Sequence, residues 1–407
     1  MLTIEPAEMQ HLVETLGAIG EQPGGGIIRH VYDAAWSAAR RQLMAWMQEA
    51  GLVVREDAVG NLLGRIEGDS PRTILTGSHV DTVILGGRYD GALGVLSALA
   101  ALRALKRSGA RPRKSLEMVA LCEEEDSRFH GNFWGTRAML GLVRQEELDD
   151  LTDLDGVTIG EAMRQAGFAP ENYPSAIRDD LDAFIELHIE QGRILYDEHQ
   201  PLGVVDAITG FYRFRVTVEG RTDHAGTTPM DLRRDALQAA VEFSSEMTRI
   251  VSEAGRPAVV TNGWWDVQPG AWNIVPGHVE FSVDFRHTNE ATKQRLAAEI
   301  RARGEAIAKE RGVGIAYDLA GDILPMDMDA HVKAELQAAA EACRVPWKPM
   351  VSGAGHDSQI MATKVPTGML FVPSADGRSH SAAEFTTPED AARGATVLVA
   401  ALQRLAY

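Results

Sequence analysis

Two short stretches, GSHVDTV at residues 77–83 and GRYDG at residues 87–91, constrain the fold of this chain most strongly. The first follows an apolar segment at 73–76, which predicts a buried strand that leads into His79. The second places Asp90 in a glycine-rich loop, where the backbone can approach a ligand closely. Polar side chains at the carboxyl end of a strand are typical of an open α/β sheet.

Strands and helices alternate through the first half of the chain, as in an α/β domain with a largely parallel sheet. The predicted strands are 52–54, 62–66, 73–76, 116–122 and 183–189, and the predicted helices are 33–50 and 93–105. His79, Glu124, Glu125 and His188 therefore fall at or just beyond strand ends, where open α/β sheets bind their ligands.

The pattern changes near residue 209. Predicted strands at 213–218, 258–263, 279–286 and 314–319 alternate with helices at 232–254 and 290–311. This order suggests a small α+β domain of ferredoxin-like type. The alternation resumes after residue 325, with a helix at 331–342 and a strand at 367–372. We expect a domain at 1–208 and 325–407 with a mostly parallel, mixed sheet, interrupted by an inserted lid at 209–324.

Composition narrows the class of protein. The chain has 407 residues, which favours two domains, and a net charge of −18, which argues against nucleic-acid or anionic-membrane partners. The two cysteines, Cys122 and Cys343, are too few for a disulfide framework and are expected to be buried thiols. The sequence has neither a signal-like N-terminus nor an apolar run of membrane-spanning length, so we expect a cytoplasmic protein.

Imidazoles and carboxylates at the predicted strand ends are natural ligands of divalent metals such as zinc. Alone, His79 fits an ordinary strand-end histidine and Asp90 a turn residue. Asp81, however, faces the same side as His79 in an extended segment and can accept its second imidazole N–H. His188, on the polar face of its strand, and His380, in a C-terminal loop, supply further imidazoles. One carboxylate can bridge two metal ions.

Glu123, Glu124 and Glu125 follow a predicted buried strand. Three adjacent carboxylates there would repel one another unless cations were present. Two of them can divide the work, since one can bind metal while its neighbour transfers protons between an activated water and a leaving nitrogen. The pattern therefore predicts a metal-dependent hydrolase.

The inserted region contributes further candidates. His224, in HAGTTPM at residues 224–230, fits either a surface turn or an oxyanion stabiliser. Arg213, Asn273 and Arg286 lie on or beside predicted strands, and an arginine can hold a carboxylate through two parallel hydrogen bonds. Each arginine also fits an ordinary exposed sheet position.

With these motifs, the chain resembles the hydantoinase/carbamoylase family of amidases, within the dimetal aminoacylase and carboxypeptidase superfamily. The similarity extends over almost the whole chain. It is most specific in GSHVDTV at 77–83, ELHIEQG at 186–192, HAGTTPM at 224–230 and SGAGHD at 352–357.

The resemblance implies a role for each matching residue. His79 and His188 would complete one metal site and Glu125 and His380 the other, with Asp90 as the bridge. Glu124 would be the general base and acid, and Asp81 would orient His79. The substrate's carboxylate and polarised carbonyl would be held by Gln191, Arg213, His224, Asn273 and Arg286. The lid would mediate homodimerisation, place His224 in the neighbouring subunit's site and rotate to close the site.

Within the family, the chain resembles the allantoate amidohydrolases in particular, through segments that include residues 127–136 and 356–360. There are two departures. Asp126 stands where the family usually has glycine, so it could bind metal or change substrate preference, and residues 378–382 differ from the usual loop around the metal histidine. The expected reaction is cleavage of the terminal ureido C–N bond of a small carboxylate, with release of ammonia and carbon dioxide.

Allantoate is the first expected substrate, and N-carbamoyl-L-amino acids or N-carbamoyl-β-alanine (the β-ureidopropionase reaction) are the alternatives. Two divalent ions per subunit are expected, zinc or manganese, with cobalt or nickel also compatible. A peptidase or aminoacylase of the same superfamily is a rival that HAGTTPM argues against. A non-catalytic binding protein of this fold is a second rival, which the complete ligand set and Glu124 disfavour.

Overall fold

The structure is a computed structural model that describes residues 2–407. The chain forms two compact units. The first comprises residues 2–206, 328–350 and 354–407, and the second comprises residues 207–327 and 351–353. No helix in the described residues is both long and apolar enough to cross a membrane.

Helices and strands follow one another along the chain. The strands are β1 Val53–Glu56, β2 Leu62–Ile66, β3 Ser70–His79, β4 Lys114–Leu121, β5 Leu181–Ile189, β6 Gly203–Ile208, β7 Gly210–Glu219, β8 Asp223–His224, β9 Val259–Thr261, β10 Trp265–Gln268, β11 Ile274–Val275, β12 His278–His287, β13 Gly314–Ile323, β14 Met326–Asp327, β15 Lys348–Ser352 and β16 Thr367–Val372. The helices are α1 Pro6–Gly17, α2 Ala34–Glu49, α3 Ala92–Ser108, α4 Trp134–Met139, α5 Glu147–Asp150, α6 Ile159–Gln165, α7 Ile194–Asp197, α8 Ala236–Ala254, α9 Glu290–Arg311, α10 Ala330–Cys343, α11 Asp357–Met361 and α12 Pro388–Ala406.

The sheet of the first unit has the strand order β1-β2-β4-β3-β5-β16-β6. Its central strands are parallel, because β3 pairs in parallel with both β4 and β5, and β5 pairs in parallel with β16. The carboxyl ends of these strands therefore lie at one edge of the sheet, where His79 ends β3 and His188 lies at the end of β5. Ligands bind at this edge in open α/β sheets.

Helix α3 packs closely against the central strands and begins directly after the Asp90 loop. A Cβ added at Gly94 would lie 2.3 Å from the carbonyl oxygen of Leu187, so only glycine permits this approach. At Gly91 the backbone has a φ of 59°, and an added Cβ would lie 2.4 Å from His79 Nε2. Glycine is thus needed where Asp90 and His79 come together.

The second unit has an antiparallel sheet of order β10-β12-β7-β13, with β9 paired to β12, and the long helices α8 and α9. Strand β7 alternates, so that Phe214 and Val216 are buried with the helices while Arg213 and Arg215 are exposed. The strand order and the two helices correspond to the ferredoxin-like arrangement. The predicted fold class, a mixed α/β sheet with an α+β insert, is confirmed.

Local predictions differ from the structure in two instructive places. The helix predicted from residue 232 begins at Ala236, because Asp235 caps it by accepting a hydrogen bond from the Gln238 N–H at 3.0 Å. Strand β5 was predicted to have one polar face, but both faces are covered, and Glu186 and His188 are 0% and 1% exposed. Burial on both faces is usual for central parallel strands.

Candidate metal centre

Asp90 lies at the centre of the imidazole cluster. Its Oδ1 is 3.5 Å from His79 Nε2 and 3.2 Å from His188 Nε2, and its Oδ2 is 3.5 Å from His380 Nε2. Residues 2–407 form four groups whose ligand atoms lie within 4.8 Å of one another, and two of these groups share Asp90. The two that share it are His79 with Asp90 and His188, and Asp90 with Glu125 and His380; the others are His79 with Glu124 and Glu125, and Glu186 with His188 and His356. Asp90 thus belongs to two groups made only of predicted ligands, which is the position that a bridging carboxylate would take.

The hydrogen bonds of the two buried histidines determine their tautomers. His79 Nδ1 lies 3.0 Å from the carbonyl oxygen of Asp81, and His188 Nδ1 lies 3.0 Å from that of Ile189. A carbonyl oxygen can only accept, so each Nδ1 carries a proton and each Nε2 is the nitrogen that lies towards Asp90. The Nε2 atoms, which are available as metal ligands in the neutral rings, therefore face the carboxylate oxygens of Asp90.

Asp81 acts differently from the expectation. Its main-chain oxygen, and not its carboxylate, accepts the His79 N–H, since the carboxylate Oδ1 lies 3.9 Å from His79 Nδ1. Its Oδ2 accepts the main-chain N–H of Glu125 at 3.0 Å. Asp81 thus positions His79 through its backbone and the Glu125 segment through its side chain.

The three glutamates after β4 separate into two roles. Glu123 is buried, has a φ of 52°, and accepts the N–H groups of Arg128 and Phe129 at 3.3 and 2.9 Å, so it stabilises its own loop. Glu124 and Glu125 face the cluster instead. Glu124 Oε2 is 3.6 Å from His79 Nε2, and Glu125 Oε2 is 3.5 Å from His380 Nε2.

Burial removes the carboxylates of Glu123, Glu124 and Glu125 from solvent. It raises the pKa of Glu124 and of Glu125 well above the usual range, and it raises the pKa of Glu123 to about 8. A nearby divalent cation would favour the ionised forms and reverse these shifts. The donor set of imidazole nitrogen and carboxylate oxygen, with the histidine Nε2 atoms facing the carboxylates, therefore fits divalent metal ions.

Gln191, expected to bind substrate, contacts the central carboxylate. Its Nε2 donates to Asp90 Oδ2 at 2.8 Å, while its Oε1 has no hydrogen-bond partner within residues 2–407. The Gln191 amide thus holds Asp90 through its nitrogen, and its oxygen remains able to accept a hydrogen bond from a further group.

Two residues of this cluster were not singled out from the sequence. The Ser379 hydroxyl and the buried carboxylate of Glu384 both belong to the His380 loop and contact the Asp90 loop. The signal available in the sequence was the position of Glu384, four residues after a candidate metal histidine.

The pair His356 and Asp357 lies next to the cluster. The ring of His356 packs edge-on against His188 with centroids 4.6 Å apart. Asp357 accepts a hydrogen bond from the Thr136 hydroxyl at 2.5 Å, and burial raises its pKa to about 8. Both are therefore placed to support the ligands from outside.

Asp126, which replaces the usual family glycine, makes its contacts within its own loop. Its Oδ1 accepts the main-chain N–H of Asn132 at 3.0 Å, and its Oδ2 lies 3.6 Å from His130 Nδ1. It belongs to none of the ligand groups formed by residues 2–407.

In the second unit, His224 and Asn273 are neighbours. Strand β8 ends at His224, which pairs with Ile274 of β11, and the carbonyl of Asn273 accepts the N–H of Ala225 at 2.9 Å. His224 Nδ1 accepts the N–H groups of Gly226 and Thr227 at 3.0 and 3.2 Å. The neutral ring therefore carries its proton on Nε2, which makes the exposed edge of the imidazole a hydrogen-bond donor.

The two candidate arginines of the second unit share one carboxylate. Asp284 lies opposite Arg213 in the β7–β12 pair and accepts from its Nε at 2.8 Å. The same carboxylate accepts from Arg286 Nε and Nη2 at 2.9 and 3.0 Å, and Arg286 Nη1 donates to the Gly353 carbonyl at 2.6 Å. Within residues 2–407 the two terminal nitrogens of Arg213 make no hydrogen bond, whereas all three nitrogens of Arg286 are engaged.

An α/β unit with a carboxylate-centred cluster of ligands at the carboxyl edge of its sheet, joined to a ferredoxin-like insert, defines a class of metal-dependent hydrolases. The chain belongs to Peptidase family M20/M25/M40, whose family model matches residues 75–404. The expected relationship to the amidases of the hydantoinase/carbamoylase family is confirmed by the relatives.

The chain is 38% identical to an allantoate amidohydrolase of Escherichia coli (strain K12), with 100% of both chains covered. It is 40% identical to an N-carbamoyl-L-amino-acid amidohydrolase of Paenarthrobacter aurescens, covering 99% of this chain and 100% of that protein. An amidase of the hydantoinase/carbamoylase family from Burkholderia multivorans has a similar structure, with a TM-score of 0.94, 35% identity, and coverage of 99% and 98%. The chain is thus a hydrolase of C–N bonds other than peptide bonds.

Proposed function

We propose that the protein is a dimetal amidohydrolase that cleaves the terminal ureido C–N bond of a small carboxylate, with allantoate as first substrate. The observation that carries this proposal is the position of Asp90 between two ligand groups, with Glu124 beside them. His79, Asp90 and His188 would hold one ion, and Asp90, Glu125 and His380 the other. When bound, such ions supply Lewis-acid activation of water and of the substrate carbonyl.

Glu124 is proposed as the general base and acid. Its carboxylate is nearly buried and its pKa is raised by burial, which suits a group that takes up a proton and releases it again. It removes a proton from the water that attacks the ureido carbon and gives that proton to the departing nitrogen. Ammonia leaves, and the remaining N-carboxylate loses carbon dioxide to give the amine, so one water is consumed in total.

The substrate-binding groups are proposed to lie mainly in the second unit. Arg213 would hold the substrate carboxylate with the free edge of its guanidinium, and Arg286 would support it through Asp284. His224 would donate its Nε2 proton to the polarised carbonyl oxygen, next to Asn273. Gln191 would contribute its free amide oxygen from the first unit.

The domain roles are also proposals. Residues 1–208 and 325–407 would form the catalytic domain, and residues 209–324 a lid that mediates homodimerisation. We propose zinc or manganese as the native metals, with cobalt and nickel compatible with the same ligands.

A second substrate class has specific support. A relative named for N-carbamoyl-L-amino acids is 40% identical to the chain, as similar as the one named for allantoate. Both substrates combine a ureido group with a carboxylate, so the groups proposed above would serve either. N-carbamoyl-β-alanine is the third candidate of this chemistry.

The test is ammonia release by the full-length protein after loading with manganese or zinc. Allantoate, N-carbamoyl-L-alanine and N-carbamoyl-β-alanine would be compared by kcat/KM, with a dipeptide as the negative control. The proposal predicts turnover of at least one ureido substrate, with allantoate the best. Hydrolysis of the dipeptide alone, or no turnover of any substrate by a protein with full metal content, contradicts it.

A further inference from the structure

Glu384 stands out among the buried carboxylates that the proposed reaction does not use. It follows His380 by four residues, is 5% exposed, and lies before helix α12. Its Oε1 accepts two consecutive main-chain N–H groups, those of Tyr89 and Asp90, at 2.8 Å each. A C-terminal loop thereby holds the backbone of the central aspartate from a part of the chain almost three hundred residues away.

A second contact connects Glu384 with the side chain of Asp90. The hydroxyl of Ser379 lies 2.7 Å from Asp90 Oδ2 and 3.2 Å from Glu384 Oε2. Ser379 also immediately precedes His380, whose φ is 53°. The Glu384 carboxylate therefore contacts the Asp90 loop directly, and it is connected to the residue before His380 through the Ser379 hydroxyl.

The contact between Glu384 and the Asp90 loop leaves no room for a side chain at residue 87. A Cβ added at Gly87 would lie 2.3 Å from the carboxyl carbon of Glu384. The φ of Gly87 is not in the left-handed region, so the backbone itself does not require glycine there. The close approach of Glu384 accounts for glycine at the start of GRYDG.

From these contacts we infer that Glu384 is a positioning residue that holds the Asp90 loop and the His380 loop in register for metal binding. This inference rests on the proposed function only in that the cluster binds metal. Loss of Glu384 should lower metal affinity most at the group of Asp90, Glu125 and His380, because both loops contribute to it. Groups that support metal ligands from outside typically contribute about 10–100-fold in metal affinity.

The experiment is a calorimetric titration of the metal-free, full-length protein with Mn²⁺. Wild type should bind two ions, and E384A should bind one of them about 10–100-fold more weakly. E384Q keeps an oxygen for the two N–H groups and should bind both ions with nearly the wild-type affinity.

D180A is the matched control, because Asp180 lies at the opposite end of β5 from His188. Asp180 accepts from the Thr73 hydroxyl at 2.6 Å just before β5 begins. The D180A substitution should lower the thermal stability of the protein without changing its affinity for either Mn²⁺ ion.

G87A makes the test independent of whether E384A folds. The added methyl group should displace the Glu384 carboxylate and produce the same selective loss, and in the E384A background it should add little further loss. Wild-type Mn²⁺ affinities in E384A and G87A overturn the role of Glu384 while leaving the metal centre intact. A wild-type protein that takes up no Mn²⁺ overturns the proposed function itself, and the role of Glu384 with it.

Discussion

The charged groups of the two units are organised in opposite ways. In the first unit, buried carboxylates and imidazole nitrogens converge on Asp90, and burial raises the pKa of Glu124 and Glu125. In the second unit, Arg213 and Arg286 share the single carboxylate of Asp284 on a partly exposed sheet face, and the pKa of Asp284 is lowered because the arginines outweigh its burial. The first arrangement favours added cations, whereas the second pairs two positive charges with one negative charge and so keeps a positive charge for an anionic group.

The difference indicates how each region would serve the reaction. The cluster in the first unit becomes complete only with metal, so its chemistry should depend steeply on ions and on protons. The arginines are held in place by a fixed carboxylate, so they should contribute binding energy of similar size in the ground and transition states.

Replacement of the proposed proton carrier should have the largest effect. E124Q keeps the volume of the side chain but cannot transfer the proton, so kcat should fall about 10²–10⁴-fold. Steady-state ammonia release and a metal assay on the same sample would check this, with metal content expected to stay at the wild-type level. E123Q is the matched control, since Glu123 lies next in sequence but binds its own loop. Equal turnover in E124Q and wild type would remove Glu124 from proton transfer.

Metal uptake should depend on pH with a definite sign. Burial raises the pKa of Glu124 and Glu125, so an incoming ion has more protons to displace from the cluster as the pH falls. Mn²⁺ affinity should therefore fall from pH 8 to pH 6, by at most about tenfold per pH unit for each proton that is released. Calorimetric titrations with Mn²⁺ in two buffers of different ionisation enthalpy would give the number of protons released when the ion binds. Affinity that is constant or that rises towards pH 6 contradicts this account of the cluster.

The second unit should show a smaller effect that is confined to substrate binding. D284N removes the carboxylate that fixes both arginines, so KM for a carboxylate substrate should rise about tenfold with kcat nearly unchanged. E280Q is the matched control, because Glu280 lies on the same strand and is 3.8 Å from Arg215, which is not a proposed substrate ligand. A fall in kcat with unchanged KM in D284N would assign Asp284 to the chemical step instead.

Much of the fold could be predicted because its signals are local. The strand at 367–372 and the helix at 290–311 were predicted at the bounds that the structure has. The ligand residues could be proposed because His79 and the acidic run directly follow apolar strands whose carboxyl ends meet at one sheet edge. The ferredoxin-like insert followed from the order of its elements alone.

The finer contacts could not be predicted, because they join distant residues through irregular backbone. Glu123, Gln191 and His380 all have positive φ angles, which no periodic pattern signals. The Asp81 carbonyl, and not its carboxylate, is the acceptor for His79, and this choice is made by irregular backbone beyond the end of β3. The bond from Gln191 to Asp90 and the contacts of Glu384 likewise depend on how loops meet in three dimensions.

The central claim is that five distant side chains hold a pair of cations around Asp90. Crystals of the full-length protein soaked in Mn²⁺ test it directly through the anomalous difference map. We predict two peaks, one among His79, Asp90 and His188 and the other among Asp90, Glu125 and His380. An anomalous difference map that has no peaks beside Asp90 would contradict the account, provided that the crystals were grown from fully reconstituted protein.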